Sequence, residues 1–378
     1  MGNYNAPRRR PNSNSRGGKR RRRANKKGKI VILLAEVLVL AIAAIALIFV
    51  IKATGKKTGV TRYEIHEEDI EVNSETKEYF EEHAEEFSNY TNIALFGVDA
   101  RNGSLEKGNR TDTIIIASVN NNTGDTKLIS VYRDTYLNIG NDTYNKCNSA
   151  YAKGGPQQAI NMLNQNLDLY ITDFVTVGFE GVIKTVDSLG GITIDVQSSE
   201  IDHLNNYQAS MWATEDNPKI TKNYTPVTSP GVQTLNGLQA LAYCRIRYTA
   251  GDDFRRTERQ RMVIAQILEK AKGSDPATLT RIVGDVMPSV ATSLDSTAIL
   301  ELVSNVTKYN ITVSDGFPFA EYRATGTIGA KGSCVVPKDL EKNVIKLQEV
   351  LYPEIEYTPS QDVINFSQKV QKDTSPYT

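Results

Sequence analysis

A run of 22 apolar residues near the N-terminus constrains this 378-residue chain more than any other feature. Residues 30–51 are almost entirely Ile, Val, Leu, Ala and Phe, and Glu36 is their only charged residue. As a helix the run would span roughly 33 Å at about 1.5 Å per residue, which matches a bilayer core of about 30 Å. It is longer than a signal-peptide core, and no clear cleavage site follows it. We therefore predict a retained transmembrane helix over residues 30–51.

The zero net charge of the chain hides a strong asymmetry on the two sides of this run. Residues 1–29 carry twelve Lys or Arg and no acid, whereas residues 52–378 carry 32 bases and 43 acids. The positive-inside rule places the basic tail in the cytoplasm and the rest of the chain outside the cell membrane. Such a tail could also bind nucleic acid, but beside an anchor it is more simply a flank that binds anionic lipid. We therefore expect a membrane partner and no nucleic acid.

Five segments are expected along the chain. Residues 1–29 form the cytoplasmic tail, 30–51 the transmembrane helix, 52–90 an extracellular stalk, 91–355 a catalytic domain, and 356–378 a loose tail. Three short apolar runs open the main domain, at residues 92–98, 113–119 and 127–132, and a dense turn signal at 120–125 predicts a hairpin between the last two. Helical and strand patterns then alternate from residue 156 to residue 271. This predicts an α/β layered domain with a central mixed β-sheet flanked by helices.

Charged side chains are expected to meet at one edge of this sheet. Asp99 directly follows the first strand, Asp112 precedes the second, and Arg133 follows the third. If neighbouring strands are antiparallel, the three positions converge. Capping of strands at a wet edge is the alternative for any one of them, but the set together favours a site. Asp99 and Asp112 are the predicted metal ligands, because Mg²⁺ typically takes one or two carboxylates together with phosphate oxygens.

A second group of basic residues lies between residues 245 and 260. Arg245 and Arg247 would point the same way on a short predicted strand, and Arg256 and Gln260 would share one face at the start of a helix. Helix N-termini favour anions, and forked arginine side chains there would bind a pyrophosphate. The alternative is a solvated basic face paired to nearby acids. No zinc spacing, Ser-His-Asp arrangement or nucleotide-binding glycine loop accompanies these residues.

Eight stretches resemble the LytR-CpsA-Psr family of membrane-anchored cell-wall ligases of Gram-positive bacteria. They occur in the family's order and cover about residues 92–270: LFGVDAR at 95–101, RTDT at 110–113, SVYRDT at 130–135, NSAYAKGGP at 148–156, FEG at 179–181, LGGI at 189–192, LAYCRIR at 241–247 and DFRRTERQ at 253–260. Tyr132 departs from the pattern, since the family often has Pro there.

The resemblance implies a magnesium-dependent phosphotransferase. Such an enzyme moves an anionic glycopolymer, such as teichoic acid or capsule, from a polyprenyl-pyrophosphate carrier to the muramic acid C6 hydroxyl of peptidoglycan. It also implies a set of pyrophosphate-binding residues: Arg101, Arg133, Arg245, Arg247, Arg256 and Gln260. Asp99, Asp112, Arg133, Arg245 and Arg247 would be catalytic, and either Asp99 or Asp112 could deprotonate the acceptor.

Two points stay open from the residues alone. The polyprenyl chain needs an apolar slot, for which Ile160, Leu163, Phe174, Phe179 and Ile183 are candidates, although an ordinary core position is the favoured interpretation for most of them. The same pyrophosphate site would also serve a hydrolase that uses water as the acceptor, or a non-catalytic anchor that binds wall polymer.

Overall fold

The computed structural model describes residues 61–63, 65, 67–99, 105–211, 224–247 and 252–377. All of them belong to one compact unit. Within these ranges no helix is both long and apolar enough to cross a bilayer. The predicted tail at residues 1–29 and the predicted transmembrane helix at 30–51 lie outside the described residues and stay predictions.

A seven-stranded mixed sheet forms the centre of the molecule, as the sequence predicts. Its spatial order is β1-β10-β7-β2-β3-β4-β11. The bounds of these strands are β1 Thr61–Arg62, β2 Tyr90–Val98, β3 Thr111–Asn120, β4 Asp125–Val131, β7 Asp173–Gly178, β10 Val290–Thr292 and β11 Asn310–Phe317. The predicted hairpin is present, because β3 and β4 pair antiparallel across the turn that follows Asn120. β2 pairs antiparallel with β3 and parallel with β7.

Three smaller two-stranded sheets lie outside the central one. They pair β5 (Tyr136–Asn138) with β6 (Tyr144–Lys146), β8 (Ile192–Val196) with β9 (Gly231–Leu235), and β12 (Arg323–Thr327) with β13 (Ser333–Pro337). β8, which lies within the alternating helical and strand patterns of residues 156–271, therefore does not join the main sheet.

Helices cover both faces of the central sheet. Their bounds are α1 Ser74–Glu82, α2 Ala84–Phe87, α3 Asn148–Leu167, α4 Phe179–Ser188, α5 Ile201–Met211, α6 Gly237–Arg245, α7 Asp252–Lys272, α8 Pro276–Val286, α9 Ser296–Ser304, α10 Leu340–Leu351 and α11 Gln361–Asp373. Side chains alternate along β3, so Ile114 and Ile116 enter the main core while Ile115 packs with Ile264 of α7 on the other face. This second face carries the candidate site.

The predicted stalk at residues 52–90 and the predicted loose tail at 356–378 are both partly folded into the domain, so these two predictions are wrong in part. Part of the predicted stalk is folded into the domain: β1 pairs with β10, and Phe80 of α1 and Phe87 of α2 stack in the main core with ring centroids 4.0 Å apart. The predicted loose tail contains α11, which packs against α3 and α10 and buries Val363 and Val370. Burial of these apolar side chains is the reason that both flanks are ordered.

Residues 198–230 have the polar composition of a surface loop, yet their first part is folded. It includes α5, where Leu204 and Gln208 are buried. Residues 212–223, which include Trp212, lie outside the described residues.

Candidate functional site

The ends of three adjacent strands bring the first predicted group of charges together. Val98, the last residue of β2, pairs with Thr111, the first residue of β3, so Asp99 and Asp112 lie at the same edge of the sheet. Arg133 follows β4 and donates from Nη1 to Asp112 Oδ1 at 2.5 Å. The predicted convergence of these residues is thus present in the fold.

The N-terminal turns of α7 bring a second set of charges to the same place. Arg256 Nη2 lies 3.0 Å from the second carboxylate oxygen of Asp112, so that carboxylate is held by two arginines. Asp253 accepts a forked pair of hydrogen bonds from Arg247, at 3.0 Å from Nε and 3.1 Å from Nη2. These contacts join helix α7 to the edge of the sheet.

The predicted strand that contains Arg245 and Arg247 is wrong. Arg245 is the last residue of α6, and Arg247 follows it in irregular backbone. The helix extends this far because LQALAYCR contains no glycine or proline to end it. Arg245 nevertheless reaches the site: its Nη2 lies 3.8 Å from Asp99 Oδ2, and its guanidinium lies 4.7 Å from the centroid of the Phe179 ring.

An apolar cavity of about 270 Å³ opens beside these charges, between the second face of the sheet and helices α4, α6 and α7. Its charged or polar end is formed by Asp112, Arg245, Arg256 and Gln260. The remaining wall is mostly apolar and includes Leu95, Ile115, Val175, Val177, Phe179, Val182, Leu241, Cys244, Val263, Ile264 and Ile267. The cavity is therefore amphipathic, with its cations at one end.

A second, polar cleft of about 750 Å³ lies on the other side of Arg133. Most of its lining is hydrophilic and comes from β6, the segment after β4, the start of α7 and the β12–β13 hairpin: Arg110, Arg133, Asp134, Lys146, Asn148, Arg247, Asp253, Thr325 and Ser333. Phe254, Cys334 and Val335 complete the wall. Because Arg133 lines this cleft while Asp112 lines the apolar cavity, the ion pair of these two residues stands between the two spaces.

The arginines control the ionisation of the two central carboxylates. Burial alone would raise the pKa of Asp112, but the guanidinium groups of Arg256 and Arg133 outweigh it and hold that pKa below its usual range. Burial likewise opposes ionisation of Asp253, yet its hydrogen bonds from Arg247 lower its pKa. Both groups are therefore anionic at neutral pH.

Several buried polar atoms of the site have no hydrogen-bond partner among the described residues. They are Arg133 Nε, Arg256 Nε, Asn148 Oδ1 and Gln260 Oε1. Arg256 and Gln260 are only 3 % and 5 % exposed, so water does not readily satisfy them. A buried N–H group without a partner is costly, so the Nε–H groups of Arg133 and Arg256 suit an anionic ligand that accepts from them. The amide oxygens of Asn148 and Gln260 are acceptors and need a donor instead.

Comparison with known proteins settles the family. The sequence profile of the LytR_cpsA_psr family matches residues 49–338, which is most of the chain. The chain belongs to the LytR_cpsA_psr family. This match covers every residue of the arginine and aspartate cluster.

Individual members of the LytR_cpsA_psr family resemble the chain over a shorter stretch. The polyisoprenyl-teichoic acid–peptidoglycan teichoic acid transferase TagU of Bacillus subtilis is 36 % identical over 200 residues, which are 52 % of this chain and 56 % of TagU. Biofilm regulatory protein A of Streptococcus mutans is 32 % identical over 216 residues, 54 % of this chain and 50 % of that protein. The chain thus spans about half the length of the curated relatives it matches.

Solved structures of the family share the fold. TagT with bound octaprenyl pyrophosphate lipid matches with a TM-score of 0.50 and 21 % identity, over 70 % of this chain and 92 % of that chain. At this identity the likeness shows the fold alone. It agrees with the mixed sheet and flanking helices described above.

Most of the predicted charged site residues lie close together in the structure, one lies outside the described residues, and the predicted lipid contacts are divided between the cavity and the core. Asp99, Asp112, Arg133, Arg245, Arg247, Arg256 and Gln260 gather around the two spaces. Arg101 lies outside the described residues. Phe179 lines the apolar cavity, and Ile183 follows one helical turn later on α4 without lining it.

Three of the predicted lipid contacts are core residues instead. Ile160, Leu163 and Phe174 are fully buried in the main core. Phe174 lies on the opposite face of β7 from Val175 and Val177, which do line the cavity. Periodicity alone could not assign the face, because both sides of this sheet are apolar.

Sequence reasoning assigned no role to Asp134, which lines the polar cleft, or to Arg323, which contacts Phe254 in its wall. Asp134 lies 3.3 Å from Lys146 Nζ and 3.6 Å from Arg133 Nε. Arg323 donates to the Tyr132 hydroxyl at 2.8 Å, and its guanidinium lies 4.0 Å from the Phe254 ring centroid. Asp134 stands within the SVYRDT motif, which was a usable signal, whereas Arg323 is far along the chain and carried none.

Proposed function

We propose that this chain is a membrane-anchored phosphotransferase. It would move an anionic glycopolymer from a polyprenyl-pyrophosphate carrier to the muramic acid C6 hydroxyl of peptidoglycan, with the catalytic domain on the extracellular face of the cell membrane. Family membership and the name of TagU support the reaction class. The polymer would be teichoic acid or capsule, and the rates of the assay below with each of the two lipid-linked polymers distinguish them.

One observation carries the proposal: the charged end of an apolar cavity contains the buried Arg256, whose Nε–H has no hydrogen-bond partner among the described residues. A polyprenyl chain would occupy the apolar part beside Val175 and Val182, and the pyrophosphate would lie against Arg256 and Arg133. Hydrogen bonds to charged groups contribute about 1.5 to 3 kcal/mol each, so several arginines suit a multiply charged diphosphate. Phosphoryl transfer depends mainly on such positioning and charge neutralisation.

The residues present also suit Mg²⁺. Asp99 and Asp112 supply two carboxylates at adjacent strand ends, which with phosphate oxygens is a donor set that Mg²⁺ favours. Within the part of the chain that the structure describes, no group of three or more His, Cys, Asp or Glu residues is placed to hold a metal. When bound, the ion would neutralise charge on the phosphates, while Arg133 and Arg256 orient them.

A transfer assay tests the proposal. The full chain in detergent is incubated with a lipid-linked polymer, peptidoglycan and Mg²⁺, and wall-bound polymer is measured. We expect wall-bound product, and at least about a hundredfold slower formation by Arg133→Ala, because one positioned donor contributes that much to catalysis. Arg281→Ala is the matched control, since Arg281 is exposed on α8, away from the site.

The same assay separates transfer from hydrolysis. Release of polyprenyl phosphate that continues at full rate without peptidoglycan, with only free polymer formed, would contradict transfer and identify a hydrolase.

A further inference from the structure

The apolar cavity and the polar cleft lie on either side of the Arg133–Asp112 ion pair, and this arrangement determines from which side the acceptor hydroxyl can attack. This inference rests on the proposed function. A carrier with its polyprenyl chain in the apolar cavity has its inner phosphate toward that cavity and its outer phosphate toward the polar cleft. The bond that breaks joins the outer phosphorus to the oxygen of the inner phosphate.

The attacking hydroxyl must therefore arrive through the polar cleft. In phosphoryl transfer the attacking and leaving oxygens lie roughly in line on opposite sides of phosphorus. Since the leaving polyprenyl phosphate lies on the cavity side, the acceptor comes from the side of Lys146, Asn148 and the β12–β13 hairpin. A base for that hydroxyl has to line this cleft.

Asp134 and Asp253 line the cleft, and Asp112 pairs with Arg133 at its boundary; these three carboxylates are held very differently. Asp112 has one oxygen 2.5 Å from Arg133 and the other 3.0 Å from Arg256. Asp253 has both oxygens in the forked pair from Arg247. A carboxylate whose oxygens are both bound to guanidinium groups has little basicity to offer a hydroxyl.

Asp134 is the carboxylate that is held most loosely of the three. Its contacts are ion pairs of 3.3 Å to Lys146 and 3.6 Å to Arg133, longer than those that hold Asp112. It lines the polar cleft itself, next to the arginine that would bind the outer phosphate. We infer that Asp134 is the general base that accepts the proton of the acceptor hydroxyl.

The backbone fixes Asp134 in this place. Its carbonyl accepts a hydrogen bond from Val335 N at 2.9 Å, and the next residue, Thr135, forms a β-bridge with Val335. The Thr135 hydroxyl donates to the Tyr132 carbonyl at 2.6 Å. The turn that carries Asp134 is thus attached to the hairpin that walls the cleft, which is the preorganisation that a general base needs.

The step balances in atoms and charge. The acceptor oxygen forms a bond to the outer phosphorus as the bridging P–O bond breaks, and polyprenyl phosphate leaves with the bonding electrons. The hydroxyl proton passes to the Asp134 carboxylate and from there to solvent.

The test compares Asp134→Asn and Asp134→Gly in the full chain with a fluorescent polyprenyl-pyrophosphate-linked disaccharide and a peptidoglycan oligomer. We expect kcat to fall by about 10²- to 10⁴-fold in both, the usual range for loss of a general base. Donor affinity, measured by fluorescence anisotropy, should change by less than about threefold. Sodium formate should raise the transfer rate of Asp134→Gly by about tenfold or more, because the glycine leaves room for formate to act as the base. It should not raise the rate of Asp134→Asn.

Asp285→Asn is the matched control, because Asp285 is exposed on α8. Rates of both Asp134 variants within threefold of the wild type would overturn the inference, as would loss of donor affinity without formate rescue. The near-isosteric Asp134→Asn keeps the test informative if Asp134→Gly does not fold. Failure of the wild-type chain to transfer polymer would instead refute the proposed function, and the inference with it.

Discussion

At the scale of single residues, Asp112 connects the sheet to helix α7. The sequence placed Asp112, Asp99 and Arg133 correctly at one sheet edge, because strand ends are set by apolar runs that are easy to see. It did not reveal that both oxygens of Asp112 would be held by arginines, since Arg256 lies 144 positions away in the chain (256 minus 112). Because both of its oxygens are bound to arginines, Asp112 orients these guanidinium groups and is a poor general base.

The ion pairs of Asp112 predict how stability depends on pH. Its pKa is lowered in the folded state, so its contribution is fully present above the unfolded pKa of about 4 and is lost as pH falls through the lower folded pKa. We expect Asp112→Asn to cost about 1 to 3 kcal/mol at pH 7, since it removes charge-assisted hydrogen bonds.

Urea unfolding followed from pH 7 to pH 2 checks this prediction. The difference in unfolding free energy between wild type and Asp112→Asn should shrink as pH falls below 4. A difference that stays constant over that range would show that the charge of Asp112 contributes nothing to stability.

At the scale of elements, α7 combines the two halves of the site. Its first turns supply Asp253 and Arg256, and its later turns supply Ile264 and Ile267 to the apolar wall. The sequence predicted this helix well because its apolar spacing is regular. It failed for the end of α6, where two alternating arginines resemble a strand, and for α11, whose Val363, Ser367 and Val370 follow helical spacing within a polar segment.

The cavity between α4 and α7 predicts the effect of filling it. Val182→Trp should place an indole where the polyprenyl chain would lie. The protein should still fold, but its affinity for polyprenyl pyrophosphate should fall about tenfold or more. Titration of a fluorescent polyprenyl pyrophosphate measures the affinity. Val232→Trp is the matched control, because Val232 is 73 % exposed on β9. Equal affinity of the two variants would mean that the lipid lies elsewhere.

At the scale of the whole molecule, one buried carboxylate joins three distant segments. Asp168 ends α3 in the left-handed region, at φ 48°, and is 1 % exposed. It accepts hydrogen bonds from Asn73 and Thr76 of the N-terminal segment at 2.8 and 2.5 Å. Tyr357 and Ser360 before α11 donate to it as well, at 2.6 and 2.8 Å.

These contacts explain why the predicted domain limits at residues 91 and 355 were too narrow. The segments before residue 90 and after residue 356 are polar, and polar composition predicts an extended stalk and a loose tail. Long-range hydrogen bonds to a single buried acid cannot be recognised from local pattern.

Replacing Asp168 tests this junction. Asp168→Gly keeps the left-handed backbone accessible but removes every acceptor, and should lower the free energy of unfolding by about 3 kcal/mol or more. Asp168→Asn keeps the shape and one acceptor oxygen, so its loss should be smaller. Chemical denaturation with both variants measures the difference. If Asp168→Gly were as stable as wild type, the flanks would be held by other contacts.

The most direct measurement is a structure of the full chain with bound polyprenyl pyrophosphate. The proposed reaction requires the isoprenoid chain in the cavity beside Val175 and Val182, with the diphosphate against Arg133 and Arg256 and its outer phosphate facing Asp134. Density for the diphosphate elsewhere, or a lipid chain outside the cavity, would contradict it.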